Sequence, residues 1–109
     1  MDGRLAELLG TVDEFEWDSG NADKNLIRHG VRQKEAEQAI MNLPVVAADA
    51  RHSQREKRFA AYGQTDSGRL LTVVFTLRGR RARVISARPM SRSERRTYAE
   101  EKGRIEADT

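Results

Sequence analysis

The stretch Arg69–Glu100 constrains the fold more than any other part of the sequence. Two β-rich runs, Leu70–Leu77 and Ala82–Ala87, flank the connection Arg78-Gly79-Arg80-Arg81, whose glycine is free to take a positive φ. Val73, Val74 and Phe75, with threonines at 72 and 76, suit a pleated surface and alternate only incompletely with polar residues. This run is therefore expected at the centre of an antiparallel sheet, covered on both faces. After the second run, Ser91-Arg92-Ser93-Glu94 reads as a capping box that starts a basic helix. Such a cap contributes about 1 kcal/mol, enough to fix where the helix begins. From Arg78 to Arg104 there are ten basic residues against three acidic ones, and that excess needs a partner.

Only 38% of the 109 residues are hydrophobic and 6% aromatic, so the chain is expected to form a single domain, 1–109, with one modest aliphatic core. Residues 1–12, with glycines at 3 and 10, are expected to be an N-terminal extension. The absence of cysteine excludes disulfides and thiolate metal sites and suits a reducing compartment. With no apolar run of membrane-spanning length and no signal-peptide pattern after Met1, a soluble cytoplasmic protein is expected, with no membrane partner. The net charge of +3 is unevenly spread: residues 1–50 sum to −5 and residues 51–109 to +8. Either the basic half meets a polyanion, most simply nucleic acid, or its arginines pair with the acidic half across the fold.

Along the chain, Phe15 and Trp17 alternate with acidic residues as in a short strand. A helix capped by Asp18 or Ser19 is expected to run to His29, with Gly30 as its left-handed terminator. A second helix, about Arg32–Leu43, carries Ala36, Ala39, Ile40 and Leu43 on one face and stops at Pro44. Val45–Asp49 and Arg58–Gln64 read as strands around a charged loop that holds Arg51, His52 and Arg55. Thr65-Asp66-Ser67-Gly68 is a turn. The resulting order, β-α-α-β-β-β-β-α, is an α+β domain whose successive strands form an antiparallel sheet.

These residues also carry a resemblance. Phe15-Glu16-Trp17-Asp18, Asn25-Leu26, His29-Gly30-Val31 and Glu35-Ala36 resemble the opening of BrnT-type toxins. Arg51-His52-Ser53, Glu56, Arg58-Phe59, Val73-Val74-Phe75-Thr76, Arg83-Val84-Ile85-Ser86-Ala87-Arg88, Glu94-Arg95-Arg96 and Tyr98 continue it in order, over about residues 15–100. The chain departs from the pattern at Arg32-Gln33-Lys34, Lys57 and Pro89-Met90. The resemblance implies a RelE-like fold and a ribonuclease toxin that cleaves RNA, free or as ribosome-associated mRNA, and arrests translation. It also implies a small BrnA-type antitoxin that neutralises it and through which alone operator DNA is bound.

Cleavage of RNA at a phosphate without a metal requires deprotonation of the 2′-hydroxyl, stabilisation of charge on the phosphoryl oxygens and protonation of the 5′-oxygen. Arginine suits the second task because its planar fork grips phosphate in bidentate fashion. The candidates are Arg58, Arg83 and Arg88 on strands and Arg95 on the last helix. Arg83 and Arg88 are an odd number of residues apart, so they point to opposite faces of a regular strand, and one is structural unless a bulge or the strand's end intervenes. Arg88 is favoured as the one nearer the site, projecting past the strand end toward Arg95 and Tyr98. Arg83 has the alternative of a salt bridge to Glu56 or Glu94.

His52 fits either proton-transfer role by its pKa, or is a solvated loop residue. His29, in the last turn of its helix, complements the helix dipole. Tyr98 stacks on a base, donates a proton or anchors the last helix. Arg51, Arg80, Arg81, Arg92 and Arg96 are further candidates for gripping the RNA backbone. No metal-ligand spacing or phosphate-loop glycine pattern occurs, so no cofactor is expected. A non-catalytic nucleic-acid- or antitoxin-binding module on the same scaffold is the competing reading.

Overall fold

The computed structural model describes residues 9–48 and 56–107. Five strands form one sheet: β1 (Glu14–Glu16), β2 (Val45–Ala48), β3 (Arg58–Gln64), β4 (Leu70–Arg78) and β5 (Arg81–Pro89). Three helices lie wholly among the described residues: α1 (Lys24–His29), α2 (Gln33–Met41) and α3 (Arg92–Ala107). The strand order is β1-β5-β4-β3-β2, so β4 is central, as its composition requires. Strands β2 to β5 form an antiparallel meander, whereas β1 joins the edge parallel to β5, with Glu16 opposite Arg83.

The two faces of β4 divide by chemistry. Leu71, Val73 and Phe75 point into the core with Phe59 and Ala61 of β3, and with Ala82, Val84 and Ala87 of β5. Val31 and the α2 face of Ala36, Ala39 and Ile40 close the core from above. The α2 helix sits so close to β3 that a Cβ on Gly63 would lie 2.1 Å from the Ala39 carbonyl oxygen. Leu9 and Val12, within the segment expected to be an extension, are buried in this same core.

Several boundaries differ from expectation for identifiable reasons. The first helix begins at Lys24, not at residue 18 or 19. The Asp18 carboxylate instead accepts from the Gly20 amide and from Arg83, while the Asn21 side chain accepts from the Asp18 amide. These contacts hold residues 19–23 in turns. The second helix ends at Met41, before Leu43, because Leu43 itself adopts φ +49°. Gly30 does terminate α1, with φ +64°. The β4–β5 connection shortens to Gly79-Arg80, with Gly79 at φ +62°. The capping box forms as written: the Glu94 amide donates to Ser91 Oγ (3.2 Å) and the Ser91 amide to Glu94 Oε1 (2.8 Å).

Candidate active site

One irregularity decides which side chains share the second face of the sheet. From Leu71↔Pro89 to Val74↔Ser86 the β4–β5 register is regular, but Phe75 then pairs with Val84. Ile85 is therefore an extra residue, a β-bulge, and the parity of β5 changes there. Arg83 pairs with Thr76 and Arg88 with Thr72, so both arginines project from the face opposite the helical core. The odd spacing that separates them in a regular strand is cancelled. Arg58 and Tyr62 of β3 pair with the same two threonines and join them.

Two asparagines pin the bulge. Among the described residues no strand flanks the outer edge of β5 beyond Glu16, and its buried backbone groups need other partners. Asn21 Nδ2 donates to the Val84 carbonyl (2.8 Å) and to the Glu16 carbonyl (3.0 Å). The Ala87 amide donates to Asn25 Oδ1 (2.9 Å). Both asparagines are buried, at 3% and 4% exposure, so these hydrogen bonds are shielded from water. Neither was a candidate site residue on sequence grounds, although two asparagines spaced one helical turn apart beside a glycine were a signal available there.

The face carries two charged groups of contacts. At one end, Arg83 Nη1 donates to Asp18 Oδ2 (2.7 Å) and Glu16 Oε1 (3.3 Å), and Nη2 to Asp18 Oδ1 (3.1 Å). Its expected partners Glu56 and Glu94 are taken elsewhere. Glu56 receives a bidentate pair from Arg78, at 3.0 Å for each contact, and Arg78 also reaches Glu16 at 2.9 Å. Asp18 is held below the usual carboxylate range by the Arg83 hydrogen bond and then the Gly20 amide; Glu56 is lowered chiefly by Arg78. Arg78 and Arg83 are correspondingly raised by these carboxylates.

At the other end, Arg88 grips Glu94 in bidentate fashion, at 2.7 and 2.8 Å. That pair, with the Ser91 amide as a further donor, lowers the Glu94 pKa to about 2. Arg88 thus meets the capping glutamate of α3. Tyr98 instead lines a separate cleft with Leu43, Gln64 and Lys102, and Lys102 lies 5.8 Å from its ring centre. Arg92, Arg95 and Arg96 are exposed on α3. Arg80 and Arg81 pair with Asp13 (3.1 Å) and Glu14 (2.9 Å). Part of the charge asymmetry is therefore absorbed by the acidic β1 segment lying against basic β5. Arg51 and His52 lie outside the described residues.

Beside the first group of contacts is a cleft of about 230 Å3, lined by Gly20, Asn21, Lys24, Glu56, Arg58 and Arg83, with Thr76, Val84 and Ile85 as its sheet wall. Its cations are two guanidiniums and one ammonium, and its single carboxylate, Glu56, is already bound by Arg78. Such a surface favours an anion with several acceptor oxygens. Among the described residues no three His, Asp or Glu side chains cluster in a way that would hold a metal ion, and no helix is long and apolar enough to cross a membrane.

The sequence model of a family described as "ribonuclease toxin, BrnT, of type II toxin–antitoxin system" matches residues 17–94. The match spans α1 to the start of α3, including the bulge, its two asparagines and Arg58, Arg83 and Arg88. No curated protein is significantly similar to the chain.

Proposed function

Since the chain belongs to the BrnT family of ribonuclease toxins of type II toxin–antitoxin systems, we propose that it cleaves RNA on the open face of its sheet and thereby arrests translation. A cognate antitoxin, of the BrnA type by the resemblance of the sequence, neutralises it by covering that face. The observation that carries this reading is the bulge at Ile85, which brings Arg83 and Arg88 onto the same face as Arg58. Three guanidiniums on one face of the sheet suit the chemistry of a polyanionic chain.

In this reading Arg58 and Arg83 stabilise charge that builds on the phosphoryl oxygens as the 2′-hydroxyl attacks. Arg88, about 13 Å further along β5 by strand rise, holds a flanking part of the RNA. Glu16 and Asp18 keep Arg83 extended and desolvate it only partly, so a phosphate is able to join or displace them. His52, in the segment that leads into Arg58, is the proposed proton-transfer group. Arg51, Arg92, Arg95 and Arg96 extend the contact to the RNA backbone, and Tyr98 anchors α3. The reaction runs in the cytoplasm and needs no metal.

The test is induced expression of the chain with labelled methionine as the readout. Incorporation is expected to fall within minutes of induction and to recover when the cognate antitoxin is co-expressed. Normal incorporation from folded, accumulated protein overturns the reading. The bidentate carboxylates on Arg83 and Arg88 favour a second reading, in which the face binds RNA or antitoxin without cleaving. In that case RNA stays intact while association falls steeply with salt.

A further inference from the structure

One buried group on this face has no structural role that the fold explains. Thr76 is 1% exposed, and its hydroxyl makes no hydrogen bond. The Thr72 hydroxyl, its neighbour in kind, is buried and unpaired as well, but it has the Glu94 carboxylate close by. Thr76 instead forms part of the wall of the arginine-lined cleft. A buried hydroxyl without a partner costs stability, and such groups in folded proteins call for a reason. Valine has nearly the same shape, stands at positions 73 and 74 of the same strand, and carries no such cost.

The position of Thr76 supplies the reason. Its register partners are Arg58 on one side and Arg83 on the other, so the three residues form one row across β3, β4 and β5. Adjacent strands are about 4.8 Å apart, which places the hydroxyl at the floor between two guanidinium stems. Lys24 stands at the rim, where its Nζ reaches the Ile85 carbonyl at 3.5 Å. Every polar group in that row is a donor or is able to donate. Of the carboxylates around this row, Glu56 is bound by Arg78, and Glu16 and Asp18 are bound by Arg83. The Thr76 hydroxyl is left for something else.

We propose that the Thr76 hydroxyl donates a hydrogen bond to a backbone phosphate of RNA seated between Arg58 and Arg83, as a direct substrate contact at the floor of the cleft. This inference rests on the ribonuclease reading for its substrate but not for its chemistry, since the same row would accept a phosphodiester that is bound and not cut. The hydroxyl donates to a non-bridging oxygen while the guanidiniums take the others, so the phosphate is fixed in both depth and orientation.

The experiment compares wild type with Thr76→Val and Thr76→Ser. It reads three quantities: cleavage of an end-labelled RNA, affinity for the matching 2′-O-methyl oligonucleotide (which cannot be cut) and the thermal midpoint. Thr76→Val is expected to melt at or above the wild-type temperature, because an unsatisfied buried hydroxyl is removed. It is expected to lose about tenfold or more in both affinity and cleavage rate, the usual effect of deleting a donor to a charged acceptor. Thr76→Ser, which keeps the hydroxyl, is expected to retain most of both.

Wild-type binding and cleavage in Thr76→Val overturn the inference. Loss of both together with a lowered melting temperature also overturns it, since the hydroxyl is then structural. If wild type binds the oligonucleotide in a Thr76-dependent way yet cuts no RNA, the phosphate contact stands and the ribonuclease reading falls. Inorganic phosphate is the probe for the other source of the same chemistry. Saturable, Thr76-dependent binding of inorganic phosphate without oligonucleotide binding shows a site for the free anion and overturns the RNA contact. Wild type that binds neither probe overturns both.

Discussion

Replacing Glu94 tests the link between the last strand and the last helix, because that one carboxylate serves two partners. It accepts from the Ser91 amide at 2.8 Å and from Arg88 at 2.7 and 2.8 Å. Its pKa is lowered from 4.5 to about 2, and that shift corresponds to ~3.4 kcal/mol at 1.36 kcal/mol per unit. Solvent screening reduces the figure, since the Arg88 side chain is 39% exposed. A realistic total is about 2 kcal/mol, of which the helix cap accounts for about 1 and the ion pair for about 1. Glu94→Ala is therefore expected to cost about 2 kcal/mol at pH 7. Glu94→Gln keeps a capping side chain and is expected to cost about 1 kcal/mol.

Because the folded pKa lies below the ordinary value, this stabilisation is fully present above about pH 4.5 and is lost as pH falls toward 2. The difference between wild type and Glu94→Gln should vanish over that interval. Urea unfolding of wild type, Glu94→Gln, Arg88→Ala and the double variant, at pH 7 and near pH 2, measures each quantity. The Arg88–Glu94 coupling should be about 1 kcal/mol at pH 7 and near zero at the acid end. A coupling below the error at pH 7, or one that persists unchanged in acid, refutes the reasoning.

Gly63→Ala is expected to cost 3 kcal/mol or more, above the ordinary range of about 1–3 for overpacking, because its Cβ meets the backbone of Ala39 at 2.1 Å and α2 must move away as a unit; chemical denaturation measures it. Leu43→Gly is expected to raise stability by up to about 1 kcal/mol, since Leu43 is exposed and its φ of +49° suits glycine; the thermal midpoint should rise. Asn25→Ala leaves the buried Ala87 amide without its partner and should cost about 1–3 kcal/mol. The same variant should increase amide hydrogen exchange selectively around residues 85–88, where the bulge loses one of its two pins.

Much of the architecture is legible in the sequence because its signals are local. The glycine between two apolar runs, the serine and glutamate three apart and the apolar face of residues 36–40 each specify an element without reference to the rest of the chain. The arrangement of the site depends on contacts that are remote. Arg-Ala-Arg-Val-Ile-Ser-Ala-Arg-Pro alternates polar with apolar residues except at Val84-Ile85, and that slip is a local mark of the extra residue, but what holds the bulge in place is remote. The groups that stabilise the bulge, Asn21 and Asn25, lie more than sixty residues earlier. The partners of Arg83 are hidden for the same reason. Glu16 and Asp18 reach it only because β1 pairs in parallel with β5, and an antiparallel run of strands does not foretell a parallel edge. The place of Tyr98 beside Leu43, Gln64 and Lys102 follows from the course of α3, which no spacing rule supplies.

Cleavage of an end-labelled RNA by the purified chain in the presence of a chelator, beside Arg83→Ala, tests the central claim most directly. Expected are 5′ fragments ending in a 2′,3′-cyclic phosphate, and a rate lower by about a hundredfold or more in the variant, the usual loss when a group that stabilises transition-state charge is removed. Intact RNA with folded wild type, or equal cleavage by folded Arg83→Ala, would contradict it.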